Sequence, residues 1–246
     1  NVNGPEGVFE GVSSSEDGSV QVTMDQSALE YGVSARNAAM NVTGDEIPFG
    51  IGLKMDEMLV RLAMPISKSD EEQDFGLALT LGNFTMDETL WNLFDPSAAL
   101  PRDPATVSFD LEGKARLLVD FLDPEAVAEL DQSGAVPGEL NALTLKNLLV
   151  SAAGSTLTGM GNFIFDNTQS FNGMPKPTGA IDLKLVGGNG LLDKLVQMGL
   201  LPEEQAMGAR MMMGLFAIPG ETPDTLNSKI EINDEGHVLA NGQRIQ

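Results

Sequence analysis

The sequence predicts an α+β protein, mainly β. It is built on a large curved antiparallel sheet (a half-barrel or groove) with about four amphipathic helices packed on one face or end. Three observations predict this. Between residues 105 and 122, Val107, Phe109, Leu111, Ala115, Leu117, Val119 and Phe121 fall on odd positions; Thr106, Ser108, Asp110, Glu112, Lys114, Arg116 and Asp120 fall on even ones. A period of two held that long marks a strand with one oily and one wet face. The same alternation recurs along the chain, separated by Gly, Ser, Asn and Asp clusters. Four shorter stretches instead place helix-starting residues ahead of apolar residues at helical spacing.

The elements follow in order. Val20, Val22 and Met24 alternate, as do Leu29, Tyr31, Val33 and Ala35, so the first third reads as short strands and turns. Met58, Val60, Leu62, Met64 and Ile66 form a further strand whose other face carries Leu59 and Ala63, which predicts cover on both sides. The acidic run Asp70-Glu-Glu-Gln-Asp74 reads as a solvated hairpin tip, and Phe75, Leu77, Leu79 and Leu81 return the chain to the sheet. Thr85-Met-Asp-Glu88 has capping-box spacing ahead of Leu90, Trp91 and Phe94, with Pro96 as the stop. Asp123-Pro124-Glu125 opens a second helix that stops near Gly134. Asn189 caps a third, through Leu191, Leu192, Leu195 and Val196 to Gly199. Pro202-Glu203-Glu204 opens a fourth, carrying Met207, Met211, Met212, Met213, Leu215 and Phe216 before Pro219. Strands are expected at residues 143–151, 156–165, 180–186 and 225–233, and a last hairpin turns at Asp234-Glu235-Gly236. The expected organisation is one β-rich domain over residues 1–246. The strand, Gly-Asn turn, helix pattern read at Leu79–Asn83 and again at Leu183–Asn189 also allows two strand-helix repeats, at about 50–135 and 140–246.

Composition excludes several function classes. With 36 acidic and 14 basic residues the formal charge is −22, a surface that repels phosphate backbones and anionic headgroups, so no nucleic-acid partner is expected. The acidity serves solubility; the sharper alternative is cation binding or a basic partner. The absence of cysteine removes disulfides, thiolate metal sites and cysteine nucleophiles together. No apolar run approaches the ~18–20 residues of a spanning helix, so no integral membrane segment is expected in this chain. The opening Asn-Val-Asn-Gly suggests a processed fragment of a precursor longer at the N-terminus. Asn41-Val-Thr43 and Asn83-Phe-Thr85 match the glycosylation pattern by composition alone.

Each candidate site has a plainer explanation beside it. Gly187-Gly188-Asn189-Gly190 could cradle phosphate on backbone amides, but it lacks a Lys-Ser/Thr tail, and a tight strand-to-helix turn explains it. Asp166–Gly173 offers oxygens at alternate positions, loosely like a calcium loop, yet its glycine and glutamate positions do not fit; a polar hairpin loop explains it. His237 is the one histidine, too isolated for a transition-metal site, and no Gly-x-Ser-x-Gly elbow accompanies it. Carboxylate pairs could perform glycoside chemistry, but one Trp and one Tyr supply few sugar platforms. No catalytic residue, cofactor or metal ligand is therefore assigned. On the fourth helix Met207, Met211 and Leu215 share a face, and methionine suits varied apolar ligands. Either this is a buried core helix, or part of it lines a groove for acyl chains together with Trp91, Phe94 and Leu195.

The segments Trp91-Asn-Leu-Phe-Asp-Pro-Ser97, Leu100-Pro-Arg-Asp-Pro104, Gly138-Glu-Leu-Asn-Ala-Leu-Thr-Leu-Lys146, Asp182-Leu-Lys-Leu-Val-Gly-Gly-Asn-Gly190 and Gly236-His-Val-Leu-Ala-Asn-Gly-Gln-Arg244 resemble an alphaproteobacterial family, domain of unknown function 2125. The likeness spans roughly residues 90 to 246 and carries no assigned active site. It implies an exported envelope protein, hence a periplasmic one made with a signal peptide, broadly similar in build to AsmA-like proteins whose curved sheets form hydrophobic grooves. The expected function is a non-enzymatic periplasmic protein with an apolar groove for a lipid or another hydrophobic ligand. The alternative is a structural or protein-interaction module of the envelope, docking to a partner protein through sheet edges or its acidic face. A carboxylate hydrolase stands third.

Overall fold

A computed structural model describes residues 2–4, 7–44, 47–171 and 174–246, with side chains described for 10–44, 50–169 and 174–246. Five strands come first: β1 (Val2–Gly4), β2 (Gly7–Met24), β3 (Ala28–Gly44), β4 (Ile47–Pro65) and β5 (Gln73–Met86). Helix α1 (Glu88–Phe94), β6 (Ala105–Leu117) and α2 (Pro124–Ser133) follow, then β7 (Gly138–Ala152), β8 (Ser155–Phe171) and β9 (Met174–Val186). The chain closes with α3 (Gly188–Gln197), α4 (Glu203–Phe216), β10 (Ile218–Pro219), β11 (Thr225–Ile232), β12 (Val238–Ala240) and β13 (Gln243–Arg244). All 13 strands form one open antiparallel sheet that runs in sequence order from β1 to β9 and then to β11, β12 and β13, with β10 beside β11. The predicted mainly-β α+β build with four helices is what the structure has.

Alternation along each strand becomes a face because the registers agree. One row of paired Cα positions crosses the sheet: Val22, Tyr31, Leu62, Leu77, Leu111, Leu145, Gly161, Ile181, Ile230 and Ala240. Directly paired residues point to the same side, so these side chains form a continuous apolar wall. The row one residue away reads Thr23, Glu30, Ala63, Gly76, Glu112, Thr144, Asn162, Ala180 and Glu231, and faces the other way. That face carries the ion pairs Lys114–Asp74 at 2.8 Å and Lys146–Glu112. The double cover expected for Leu59 and Ala63 is not there; both positions point to this mixed polar face.

Among the described residues no second layer seals the wall. A compact protein of 26.1 kDa exposes about 10,600 Å², whereas this chain exposes 15287 Å². The buried apolar side chains among the described residues are Ala35, Pro65, Ile66, Ala78, Leu100, Ala105, Ala206 and Ala240, mostly small. The large ones, such as Val60, Leu79 and Phe109, are half-buried.

Two expectations are corrected. The first third is not short strands and turns: β2, β3 and β4 run 18, 17 and 19 residues. The Asp and Asn read as turn residues sit inside strands, at Asp17 (φ 49°), Asn37 (φ 46°) and Asn83 (φ 51°). Asp and Asn tolerate this left-handed conformation, so each makes a bulge without ending its strand. They lie side by side: Arg36 pairs with Asp17 at 3.5 Å, Asn37 Nδ2 donates to Glu16 at 2.7 Å, and Asn83 Nδ2 donates to Asp56 at 3.1 Å. A bulge bends and twists its strand, so the row curves neighbouring strands together. Gly82-Asn83 is accordingly a bulge within β5, unlike the Gly188-Asn189 that begins α3.

The predicted strand at 105–122 is also shorter. β6 ends at Leu117, and Asp120 turns the chain by accepting from the Leu122 amide at 2.9 Å. Within β6, Gly113 interrupts the apolar face because the ring of its partner Phe75 lies over it; a Cβ there would be 2.2 Å from Phe75 Cζ and 2.6 Å from the Ala142 carbonyl oxygen. The bare glycine is what lets the aromatic lie flat on the wall.

Candidate ligand-binding cleft

The connections β5–β6 and β9–β10 leave the same end of the sheet, so α1, α3 and α4 gather there, while α2 lies at the other end. Helix α1 is tied to β4 by its N-cap: Asp87 accepts from the Leu90 amide at 2.9 Å and the Gly52 amide at 2.8 Å. The cap is thus Asp87 rather than the predicted Thr85, because an aspartate one residue from the helix satisfies its amides and a strand amide at once. After α1, Asp95 is fully buried; its carboxylate accepts from the amides of Ala99 (2.8 Å) and Leu100 (2.9 Å).

Helix α3 starts without a capping side chain of its own. The Asp224 carboxylate, from beyond α4, accepts from the amides of Asn189 at 3.0 Å and Gly190 at 2.9 Å and from Asn189 Nδ2 at 2.9 Å. The predicted cap Asn189 therefore lies inside the helix. The glycine turn that could cradle a phosphate carries a carboxylate of the chain itself. Arg210 of α4 pairs with Asp193 of α3, fastening the two helices. At the far end of α4 the Phe216 carbonyl accepts from Ser228 Oγ at 2.6 Å and Asn241 Nδ2 at 3.0 Å.

These ties, one from the middle of α4 to α3 and one from its last turn to Ser228 and Asn241, hold it over the wall with a cleft of about 290 Å³ beneath it. Leu157, Leu183, Leu185 and Leu226 form its floor; Met212, Met213, Phe216 and Ala217 form its roof, with Ser228 at the side. Its lining is almost wholly carbon, with no ionisable group, so it suits a hydrocarbon rather than an acid–base reaction.

The residues singled out in the sequence divide between places. Met207, Met211 and Leu215 do share one face of α4, but they are 65%, 72% and 60% exposed and lie outside the cleft lining. The Trp91 and Phe94 rings meet at a 44° tilt with centroids 5.1 Å apart, and the Arg102 guanidinium lies 5.5 Å from the Trp91 ring centroid. Trp91 lines a separate recess of about 90 Å³ with Phe84, Met86 and Ala105. Leu195 is half-buried in α3, where its carbonyl accepts from the Leu200 and Leu201 amides. Sequence reasoning missed Met213, Phe216 and the leucines of β8, β9 and β11. The alternation of Leu183 and Leu185 was the available signal, but nothing local shows which side of α4 meets it.

Other candidates are explained locally. Asp166 accepts from the Thr168 amide and hydroxyl at 2.9 and 2.6 Å and from Gln169 Nε2 at 2.7 Å, while Asn172 and Gly173 of that loop lie outside the described residues. His237 Nδ1 lies 3.1 Å from Glu235, and its amide donates to Asn233 at 2.9 Å. Among the described residues no helix is long and apolar enough to cross a membrane.

Burial raises the proton affinity of Asp224, but the amides of Gly190 and Asn189, the Asn189 side chain and the charge of Arg210 outweigh it, leaving the pKa below the ordinary 3.8. At Asp95 burial is likewise outweighed by the Leu100 and Ala99 amides, Ser97 and Arg102. As pH falls, the unfolded chain takes up these protons before the folded one does. The stability both groups contribute is therefore complete above the ordinary carboxylate range and is lost as pH drops below 3.8 through the depressed folded values. Melting curves from about pH 7 down to about pH 2 should show this loss. Asp224→Asn should already melt lower at neutral pH and decline less steeply in acid.

The fold and cleft define a class: a one-sheet β protein with an open apolar wall, helices over one end, and a hydrocarbon-lined cleft beneath them. Within it, the chain belongs to the family described as "Uncharacterized protein conserved in bacteria (DUF2125)", which matches residues 12–242. No curated protein and no solved structure matches the chain.

Proposed function

We propose that this is a non-enzymatic periplasmic protein that holds the acyl chain of a lipid, or another hydrophobic ligand, along its apolar wall, gripped in the cleft under α4. The observation that carries the reading is the apolar row across the sheet, broken only at the bare Gly161, with no second layer over it among the described residues. Leaving such area in water forgoes roughly 25 cal/mol for each Å² that a ligand could cover, a standing incentive for an apolar occupant. The cleft floor continues that wall, so a chain seated beneath α4 can extend along the strands. Methionines in the roof adapt to chains of different shape. The periplasmic setting is the part of the proposal that rests on what the sequence resemblance implies, export to the envelope.

Native mass spectrometry of protein purified gently from bacterial envelopes tests this. Adducts with lipid masses, and saturable uptake of a fluorescent fatty acid by delipidated protein, are the expected results. Ligand-free protein that also fails to take up the probe overturns the reading.

A further inference from the structure

The two edges of the sheet are finished differently. At the C-terminal edge the outer side of β11 is taken by β10, which ends in Pro219, and by β12, and the last strand, β13, is two residues long. Short strands and proline are how open edges are blunted. At the other edge β1 pairs with β2 only at Gly7, Val8 and Phe9. Beyond that, β2 presents its outer backbone, and among the described residues no strand pairs with its outer side. Residues 7–24 contain no Lys, Arg or Pro, the usual guards of an edge. The last six of them, Ser-Val-Gln-Val-Thr-Met, are uncharged and rich in strand formers.

The apolar wall runs out to this edge. Val20, Val22 and Met24 are paired to Val33, Tyr31 and Leu29 on the wall, yet are 67%, 62% and 63% exposed because nothing flanks them. The acidic groups are distributed around the same segment: Glu16 and Asp17 before it, Asp25 after it, Glu30 beside it on the polar face. The first 35 residues hold six acidic side chains, and the first basic one, Arg36, is taken up by Asp17, which leaves the rest in excess. A second copy would bring the same carboxylates against these, whereas a basic strand would be attracted.

From this we infer that residues 19–24 of β2 take up an extended strand of a partner protein, added antiparallel as β1 already is. The partner's alternating apolar side chains continue the wall beside Val20, Val22 and Met24, and Lys or Arg flanks them at both ends. Backbone hydrogen bonds supply the attachment, and the acidic surround selects the partner. The inference does not depend on what occupies the wall.

The test uses the full chain and two short synthetic peptides of alternating valine and threonine, one ending in lysines, the other in glutamates. Hydrogen exchange should slow at residues 19–24 with the lysine peptide. That peptide should bind roughly fivefold more tightly than the glutamate one, the worth of two exposed ion pairs, and the gap should close in high salt. Val22→Lys, which keeps β2 in its ladder with β3, should abolish the protection while circular dichroism stays unchanged. Absence of protection, equal binding of both peptides, or protection that survives Val22→Lys overturns the inference. So does a concentration-dependent dimer that protects the same amides, since the occupant is then a second copy.

Discussion

Gly179→Ala is expected to unfold the protein at markedly lower denaturant, with a loss of about 3 kcal/mol. Gly179 lies in β9 at φ 154°, between Phe163 of β8 and Ile232 of β11. A Cβ there would fall 2.1 Å from the Asn162 carbonyl oxygen and 2.8 Å from Phe163 Cα. Those are backbone atoms of a neighbouring strand, so no side chain can rotate away and the β8–β9 ladder must open. β9 also carries Leu183 and Leu185, so the cleft floor would shift with it. A control separates strain from collision. Gly134, at φ 64° after α2, has open space around its Cβ position, so Gly134→Ala should cost only about 1 kcal/mol. Urea denaturation of both variants checks this, and equal losses would refute the account of Gly179.

Leu183→Glu is expected to weaken hydrocarbon binding by at least about tenfold, equivalent to about 1.4 kcal/mol. Leu183 leans across Gly159, where a Cβ would lie 2.7 Å from its Cδ2, and so projects into the cleft floor. A carboxylate at that point must either lose water when an acyl chain enters or exclude the chain. Met213→Glu in the roof should act alike, which guards against a local fault in the strand. Met211→Glu, on the outward face of α4, should leave binding within about twofold. Fatty-acid titrations of the three variants, with melting temperatures alongside, distinguish the cleft from the exposed methionine stripe. Loss of binding in Met211→Glu with retention in Leu183→Glu would place the ligand on the outside of α4 instead.

Much of the sheet was legible because alternation is a local property. β11 matches its predicted span to within a residue, β6 begins and β9 ends where predicted, and α2 has the Asp123 cap, first-turn proline and left-handed Gly134 that its sequence announces. The bulges were not legible, since Asp17, Asn37 and Asn83 have the composition of turns and only cross-strand pairing keeps their strands running. Asp224 was equally hidden. It binds helix amides 34 and 35 residues earlier, and proximity of that kind is created by folding. The candidate site was half legible: a methionine-rich helix near an apolar sheet could be named, but not the face it presents.

Periodicity, capping and composition by themselves determined a mainly β chain with one oily and one wet side and an acidic exterior, because each depends on residues a few positions apart. Tertiary structure alone decided the register that joins the strands into one wall. It also decided which edge has no outer strand among the described residues, and that Met213 and Phe216 rather than Met207 and Met211 look into the cleft. The physical reason is that α4 is apolar nearly all round, so its own sequence does not distinguish its faces. The bonds from Ser228 and Asn241 to its last turn, made across the sheet, fix its rotation.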